Sequence, residues 1–571
     1  MIESTVAGFN AQRSRTRRTN GLSVNKKSGA QIAVGGVLIN STVVEHSNHS
    51  VRSVSPFQWW DYIVFITLCA AMAYGIAKFI GQWCSVKDLI QTPVSYLILS
   101  AILAIVLINT TGRWFLLLFM KRPIPMSPGP NWKVAVVTTF VSQSEPISML
   151  EETLKSLVSL DYPHDTWVLD ESDDDEVKAL CRNIGVHHYS RKSNPEYQTE
   201  TGRYKQRSKH GNYNAWLDEI GYRNYDILSA FDPDHVPQTD FLSKILGYFD
   251  CPNVGYVQVA QAYYNQSSSF IARGAAEETY AYYSSIEMSS YAMGYPIIIG
   301  SHNTHRLSAL QLIGGIAAHD ADDLLLTRHY RNQAWQGVYV PEILARGITP
   351  VDWPSYLGQQ RRWARSVLDL KLRAYPGCSE KIHWSAQMFS LLHGLTYLHK
   401  SLILIVLQLL LIYLLLTGES PRVLSSEMIP NYIGLWLVLL VCEFYRQRFY
   451  LDWTHEWGTH WRVTLLQMAK SFYMLFALFD VVTSRSIEYE LTVKSKSKVS
   501  QQLMLWPNAI MALVTSLAWF FGIISGHVTN PVIHFCAFGF ISFSIALLYS
   551  ESFVPAEPFD KSLLDKSKQI V

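Results

Sequence analysis

The chain has 571 residues, of which 49% are hydrophobic and only 16% charged, with a formal net charge of +2. Charge this sparse, with the apolar residues gathered in long runs near the start and in the last third, excludes an ordinary soluble protein and fits a membrane chain with a large soluble insert. Seven cysteines without a C-x-x-C pair argue against a disulfide framework or a zinc site, the net charge says little about partners, and no nucleic-acid partner is expected.

In chain order, residues 1–55 are Ser-, Asn- and Arg-rich and read as a disordered basic tail, with Arg13-Ser-Arg-Thr-Arg-Arg18 solvated or near anionic lipid. Residues 56–122 carry two apolar spans, 57–80 and 94–111. Trp59 and Trp60 sit at the entry of the first, and Arg113, Lys121 and Arg122 follow the second. Those basic residues place the next domain, 123–385, in the cytoplasm.

That domain alternates strand and helix. Strands are expected at Lys133–Phe140, Thr166–Asp170, within 225–231 and at Gly255–Gln261. Helices are expected at Ile147–Leu160, Asp174–Asn183, Lys209–Ile220 and from about 240. The pattern predicts an α/β domain with a mostly parallel sheet. Its central stretch is Tyr225-Asp-Ile-Leu-Ser-Ala-Phe-Asp-Pro-Asp-His235, an apolar strand ending in Asp232 and Asp234. Carboxylates at the carboxyl end of such a strand suit Mg²⁺ or Mn²⁺ on a diphosphate, although a turn broken by Pro233 reads the same way. A second strand ends in Asp170-Glu171.

Between these acids runs a basic loop from Arg191 to Lys209, whose Arg203, Lys205 and Arg207 read mostly as solvated charge. Lys209 is set apart, because it opens a helix at Lys-His-Gly-Asn, where backbone amides can approach an anion. At 296–306 a short strand is expected to run into Gly300-Ser301, which either line a sugar pocket or form a structural turn. Asp322 and Asp323 start a helix, as dipole complements or with one as a general base. Pro354 opens a basic amphipathic helix on which Gln359, Arg362 and Trp363 share one face, suited to phosphate and sugar, while Arg361 and Arg365 point elsewhere as surface charges.

The segment 386–551 holds apolar spans at 398–416, 430–445, 506–525 and 532–550. The stretch 463–483 carries Lys470 and Asp480 and lies between two basic segments that both favour the cytoplasm, so it is expected as an interfacial or re-entrant helix. This gives six crossings with both termini inside and a cytoplasmic loop at 484–500. Residues 552–571 are a polar tail.

Taken in order, these motifs resemble the processive membrane glycosyltransferases of family 2, the group of cellulose, chitin and hyaluronan synthases. Asp170-Glu171 resembles that family's first acidic motif, Lys209-His-Gly-Asn212 its K-A-G-N element and Asp232-Pro-Asp234 its D-x-D. Gly300-Ser301 resembles the end of F-x-C-G-S, Ala321-Asp322-Asp323 resembles T-E-D, and Gln359-Gln-Arg-Arg-Trp363 matches Q-x-x-R-W. Tyr489-Glu-Leu-Thr-Val-Lys494, with Thr492 and Lys494, is similar to the F-x-V-T-x-K gating loop. Trp457-Gly-Thr459 resembles a short motif of the chitin and hyaluronan branch.

The resemblance implies a GT-A, Rossmann-like domain inserted between transmembrane helices of the inner membrane. The implied reaction is inverting transfer from a UDP-sugar to a growing polysaccharide, which is moved across the bilayer. Asp323 is the implied base and Asp232 and Asp234 hold Mg²⁺ or Mn²⁺. Asp170, Glu171, Lys209, Gly300, Ser301, Asp322, Gln359, Arg362, Trp363, Thr492 and Lys494 contact substrate. UDP-glucose and a β-glucan are the expected donor and product, with accessory export subunits as further partners. The alternatives are a chitin- or hyaluronan-type enzyme using UDP-N-acetylglucosamine, a non-processive transferase to a lipid carrier, or a degenerate transporter.

Overall fold

The computed structural model describes residues 33–34, 37–38, 50–129, 131–142, 145–375, 384–485 and 501–550. Of the first 49 residues, Ala33–Val34 and Val37–Leu38 pair as a short antiparallel ladder. Ser53–Val54, expected within the unstructured tail, pairs antiparallel with Arg122–Pro123. That ladder joins the start of the first apolar helix to the chain that leaves the second.

Eight strands form one sheet: β1 Val134–Phe140, β2 Asp165–Asp170, β3 His187–Tyr189, β4 Ile227–Phe231, β5 Val236–Pro237, β6 Val254–Tyr263, β7 Asn303–Arg306 and β8 Gln336–Gly347. Their spatial order is β3-β2-β1-β4-β7-β6-β8-β5. The β3-β2-β1-β4 block is parallel, β6 and β8 are parallel, and β7 and β5 run against their neighbours. Register sets Phe140 beside Asp170 and Thr138 beside Phe231, so the acids that end β2 and β4 emerge at the same edge. An open, mostly parallel sheet presents its ligand crevice at that edge.

The helices follow the sequence pattern: α1 Trp59–Trp83, α2 Pro93–Leu116, α3 Ile147–Leu157, α4 Asp175–Ile184, α5 Lys209–Trp216, α6 Phe270–Ala281, α7 Asp322–Asn332, α8 Trp353–Asp369, α9 Trp384–Thr417, α10 Ile429–Arg446, α11 Trp461–Val482, α12 Trp506–Ile524 and α13 Pro531–Tyr549. One apolar layer packs α3 and α4 on the sheet through Leu150, Leu154, Val136, Val168 and Val177. The opposite layer gathers Tyr213, Trp216, Leu228, Leu325 and Tyr330 from α5, β4 and α7. The helix expected over Lys209–Ile220 is regular to Trp216 and then widens into a π turn at Leu217–Gly221.

The strand expected before Gly300 is absent. Residues 296–302 are irregular, and the strand begins at Asn303. Side chains take the amides that a ladder would use. Ile297 N donates to Glu287 Oε2 at 3.2 Å, Ile298 N to Thr327 Oγ1 at 2.9 Å, and Ile299 N to Gln258 Oε1 at 2.9 Å. Three β-branched residues thus leave the sheet with every amide satisfied, and the chain is free to turn at Gly300.

The turn is anchored from below by Tyr256, whose buried hydroxyl donates to the Pro296 carbonyl at 2.6 Å. Tyr256 lies opposite Gly337 in the β6–β8 register, and a Cβ at Gly337 would stand 2.2 Å from the ring. Gly337→Ala is therefore expected to destabilise the fold by about 1–3 kcal/mol through overpacking. A thermal midpoint equal to wild type would show that the ring has room to move.

Among the described residues, seven helices are long and apolar enough to cross a membrane: α1, α2, the Tyr397–Thr417 part of α9, α10, α11, α12 and α13. Six have 17–28% of the window buried within the chain, whereas α11 has 56% buried. It packs on α6 and α8 through Leu465, Leu466, Ala469, Met474 and Ala477. Its three charges are all partnered, and the first, Arg462, meets Glu277 of α6 at 2.8 Å. Lys470 Nζ meets Glu278 of α6 at 2.8 Å, and Asp480, 1% exposed, pairs with Arg361 of α8. Charge on an apolar helix is tolerated when paired inside protein. Arg361, expected as a surface charge, is thus an anchor between domain and helix bundle, and Arg365 donates to the Arg485 carbonyl at 3.2 Å.

Candidate active site

The β4 strand delivers Asp232 to the crevice, and Pro233 ends the ladder so that Asp234 and His235 turn back toward it. One oxygen each of Asp232 and Asp234 and one nitrogen of His235 lie within 4.8 Å of one another. His235 Nδ1 faces Asp234 Oδ1 at 3.1 Å, and Ile348 N donates to Asp234 Oδ2 at 3.3 Å. His235 was missed by sequence reasoning, although its place directly after the second acid was the available signal. Gly347 makes room for its ring, since a Cβ there would stand 2.3 Å from Nε2.

Two carboxylates and one imidazole at this spacing form a donor set for a divalent cation with mixed oxygen and nitrogen ligands. A cationic group already lies there: Lys209 Nζ donates to Asp232 Oδ1 at 2.6 Å. Burial alone would lower the Lys209 pKa, but the Asp232 charge outweighs it and holds the ammonium well above the ordinary lysine range. The same Nζ donates to the Gly300 carbonyl. Asp232 N in turn donates to Ser301 Oγ at 3.0 Å. Lys209, Asp232, Gly300 and Ser301 therefore form one connected unit.

Helix α5 is set by Ser208, whose Oγ accepts from Gly211 N at 3.1 Å. Gly211 is required by close approach, because a Cβ would meet the Lys205 carbonyl at 2.3 Å. Asn212 Nδ2 donates to the Leu169 carbonyl at 3.1 Å, which ties the helix to the end of β2.

On the far side of the Gly300 turn lies Asp323, whose Oδ2 would stand 3.9 Å from a Cβ at Gly300. Asp323 N donates to Asp322 Oδ1 at 3.0 Å, and Leu324 N to Asp323 Oδ1 at 2.7 Å. Burial, then repulsion from Asp323, raises the Asp322 pKa. Burial also raises that of Asp323, against the Leu324 amide and Lys209, which hold it down. A carboxyl so placed would act as a base only when deprotonated, with the acid limb of its pH profile above the roughly 3.9 of an ordinary aspartate. Asp322→Asn removes the second carboxyl of the pair and is expected to reduce a limb spread over two ionisations to a single one. An unchanged limb in kcat/KM against pH would mean that the two carboxyls do not titrate together.

Asp170 is fully buried, with Oδ1 accepting from Ser172 N at 2.8 Å and Oδ2 accepting from Asp174 N at 2.6 Å and facing His188 Nε2 of β3 at 3.2 Å. Glu171 is held by Arg191 through two bonds of 2.9 and 2.8 Å. Arg191, expected in a solvated basic loop, is fully buried and also donates to the carbonyls of Tyr197, Tyr204 and Lys205. Arg203 pairs with Asp218 at 2.8 Å. Much of the basic loop is thus fastened to the domain, and Lys209 is the lysine brought to the acids of β4.

Helix α8 starts at Asp352, whose side chain accepts from Ser355 N at 2.9 Å, with Pro354 in the first turn. Gln360 is buried and accepts from Lys470 Nζ at 3.1 Å. Gln359 and Arg362 are half-buried, and Trp363 is 39% exposed. The motif therefore splits by face: Gln360 and Arg361 hold α11, and Gln359, Arg362 and Trp363 occupy the rest of the helix. Tyr489, Thr492 and Lys494 lie outside the described residues.

A family profile described as glycosyl transferase family group 2 matches residues 229–524. Cellulose synthase 1 of Komagataeibacter xylinus is 22% identical over 277 residues, covering 47% of this chain and 17% of that protein. Beta-monoglucosyldiacylglycerol synthase of Synechocystis sp. is 25% identical over 266 residues, covering 44% of this chain and 52% of that protein. The chain thus spans about half or less of the length of these curated relatives. Among solved structures, the mannosyltransferase PcManGT from Pyrobaculum calidifontis in complex with GDP-Man and Mn²⁺ gives a TM-score of 0.46 at 15% identity, covering 68% of this chain and 99% of that one. The profile match takes in more than half of the chain, from Ser229 within β4, three residues before Asp232, to the end of α12. The chain belongs to glycosyl transferase family group 2, with a GT-A domain joined to membrane helices.

Proposed function

We propose that this protein is an inverting, processive polysaccharide synthase that takes glucose from UDP-glucose and passes a β-glucan across the membrane. The observation that carries the reading is the Lys209 ammonium bound to both Asp232 and the Gly300 carbonyl. It joins the diphosphate side of the crevice to the turn that Asp323 faces. Donor and acceptor can then meet across Gly300.

In this reading Asp323 takes the proton of the acceptor hydroxyl as its oxygen attacks the anomeric carbon, and the bond to the diphosphate breaks with its electrons leaving on UDP. Lys209 and Arg362 offset the charge that develops on the leaving group. Asp232, Asp234 and His235 would hold Mg²⁺ or Mn²⁺, which when bound neutralises the diphosphate. Trp363 offers an indole face to the acceptor sugar, and Asp170 with Glu171 shapes the loop beside the nucleotide. The transferase domain and both termini are cytoplasmic in the inner membrane. Six helices cross, and α11 seats the domain on the bundle, which its burial and paired charges support.

A second reading rests on the match to a monoglucosyldiacylglycerol synthase, which covers a larger share of that relative than of the cellulose synthase. A single sugar would then pass to a lipid hydroxyl through the same residues. The experiment is UDP release by the full chain in nanodiscs given UDP-glucose, UDP-N-acetylglucosamine or UDP-glucuronate, with and without diacylglycerol. Insoluble polymer cut by a β-glucanase supports the synthase. Sugar recovered only in the lipid phase supports the second reading. Dependence on UDP-N-acetylglucosamine moves the product to the chitin or hyaluronan type, and no UDP release from any donor removes both readings.

A further inference from the structure

His235 is the buried imidazole of the acidic cluster, and both of its ring nitrogens have a neighbour. Nδ1 faces Asp234 Oδ1 at 3.1 Å, and Nε2 faces the side-chain Nε2 of Gln261 at 3.2 Å. The other end of that amide, Gln261 Oε1, accepts from the Tyr283 hydroxyl at 2.9 Å. Tyr283, Gln261, His235 and Asp234 thus form one chain of contacts that ends at the acids. Gln261 stands where the β6–β8 register jumps, from Val259 opposite Val340 to Gln261 opposite Ala345, and such an irregularity re-aims a side chain. Tyr283 is buried in the π turn Tyr282–Ile286 that follows α6.

This chain sets the tautomer of the ring. An amide nitrogen only donates, so His235 Nε2 accepts from Gln261, and the neutral imidazole carries its proton on Nδ1 and donates it to Asp234. With both nitrogens so engaged, the ring orients Asp234 and offers no lone pair to an ion. Ligation through Nδ1 requires the other tautomer, with the proton on Nε2. That proton needs an acceptor, and the group facing it is Gln261. Turning the amide end for end sets Oε1 against Nε2 and the NH₂ group against Tyr283. A phenol accepts as well as donates, so the reversed chain is also satisfied. The ring stays neutral throughout, since one proton leaves Nδ1 as another is taken up at Nε2.

We propose that Gln261 is a positioning residue for the cation site, and that its amide reverses when the ion binds, converting His235 from the partner of Asp234 into a ligand. The inference rests on the metal reading of Asp232, Asp234 and His235. A hydrogen bond to the outer nitrogen of a ligating histidine is worth about 10–100-fold in metal affinity.

The test is Mn²⁺ binding to the full chain in nanodiscs with UDP. Affinity is read from the electron paramagnetic resonance signal of the free ion, and bonded imidazole nitrogen from electron spin echo modulation. Wild type is expected to show one such nitrogen. Gln261→Met keeps the length of the side chain but leaves the Nε2 proton without an acceptor, and is expected to weaken Mn²⁺ binding about 10–100-fold. Gln261→Glu offers Nε2 and the Tyr283 hydroxyl an acceptor each, and is expected to bind Mn²⁺ at least as tightly as wild type with the imidazole retained. A residue that served packing alone would not be rescued by the charged variant. Affinity within about twofold of wild type in Gln261→Met, or equal loss in both variants, overturns the inference. Wild type without a bonded imidazole nitrogen overturns it with no variant needed and leaves the cation on the carboxylates. No saturable Mn²⁺ binding at all overturns the inference and the metal reading together.

Discussion

Asp323→Asn is expected to lower the rate of sugar transfer by about 10³-fold while leaving UDP affinity within about twofold, in line with the usual worth of a positioned general base. Asparagine keeps the size of the side chain and can still accept the Leu324 amide, so the helix start at α7 survives the change. What it loses is the ability to take a proton next to the Gly300 turn. The adjacent Asp322 makes the outcome diagnostic. Each carboxyl gives Oδ1 to the next amide along the helix start, and it is Asp323 Oδ2 that comes near the Gly300 turn. If Asp323→Asn keeps most of its activity and Asp322→Asn loses it, the base has been assigned to the wrong carboxyl. If both singles lose as much as the double variant, the pair works as one unit and neither residue is separately the base. The comparison is made at a pH well above the raised pKa values of the pair, where wild type is fully deprotonated.

The sequence shows the sheet wherever an apolar run stops at an acid. The β2 and β4 strands were legible because Asp170 and Asp232 end buried stretches abruptly, and register then brings those ends to one edge. The Ile297-Ile-Ile299 run gave the opposite result. It has strand composition, but Glu287, Thr327 and Gln258 take its amides from three distant places in the chain. No local pattern reports such a competition. Charge was misread for the same reason. Arg191 and Arg361 look like solvent-facing residues in sequence, yet Arg191 is fully buried among Glu171 and three carbonyls, and Arg361 reaches an Asp480 that lies 119 positions away. The carboxylates of the site were legible because their chemistry is bound to their place on a strand or helix. His235 was not, because its burial and its contact with Asp234 are properties of the fold.

Asp234→Asn is expected to weaken Mn²⁺ binding by at least about 10–100-fold and to lower transfer by about 10³-fold at fixed cation concentration. Asp234 is almost wholly buried, so its contribution is poorly screened by water. Its two oxygens are both engaged, one accepting the Ile348 amide and the other facing His235 Nδ1. An amide preserves the first contact but presents a dipole where a charge stood, and its NH₂ group can face His235 Nδ1 and draw the imidazole lone pair away from an ion. Loss of activity alone would not separate metal binding from folding. The decisive measurement is activity against Mn²⁺ concentration after chelation. Wild type should recover at low concentration, while the variant should recover only part of its rate at concentrations raised by the same factor as its weakened affinity. Asp232→Asn provides the contrast, because it also releases Lys209 from its carboxylate and so alters the diphosphate side of the crevice as well as the ion. A variant at Asp234 with an unshifted Mn²⁺ curve would show that this carboxylate supports the turn and does not hold the cation.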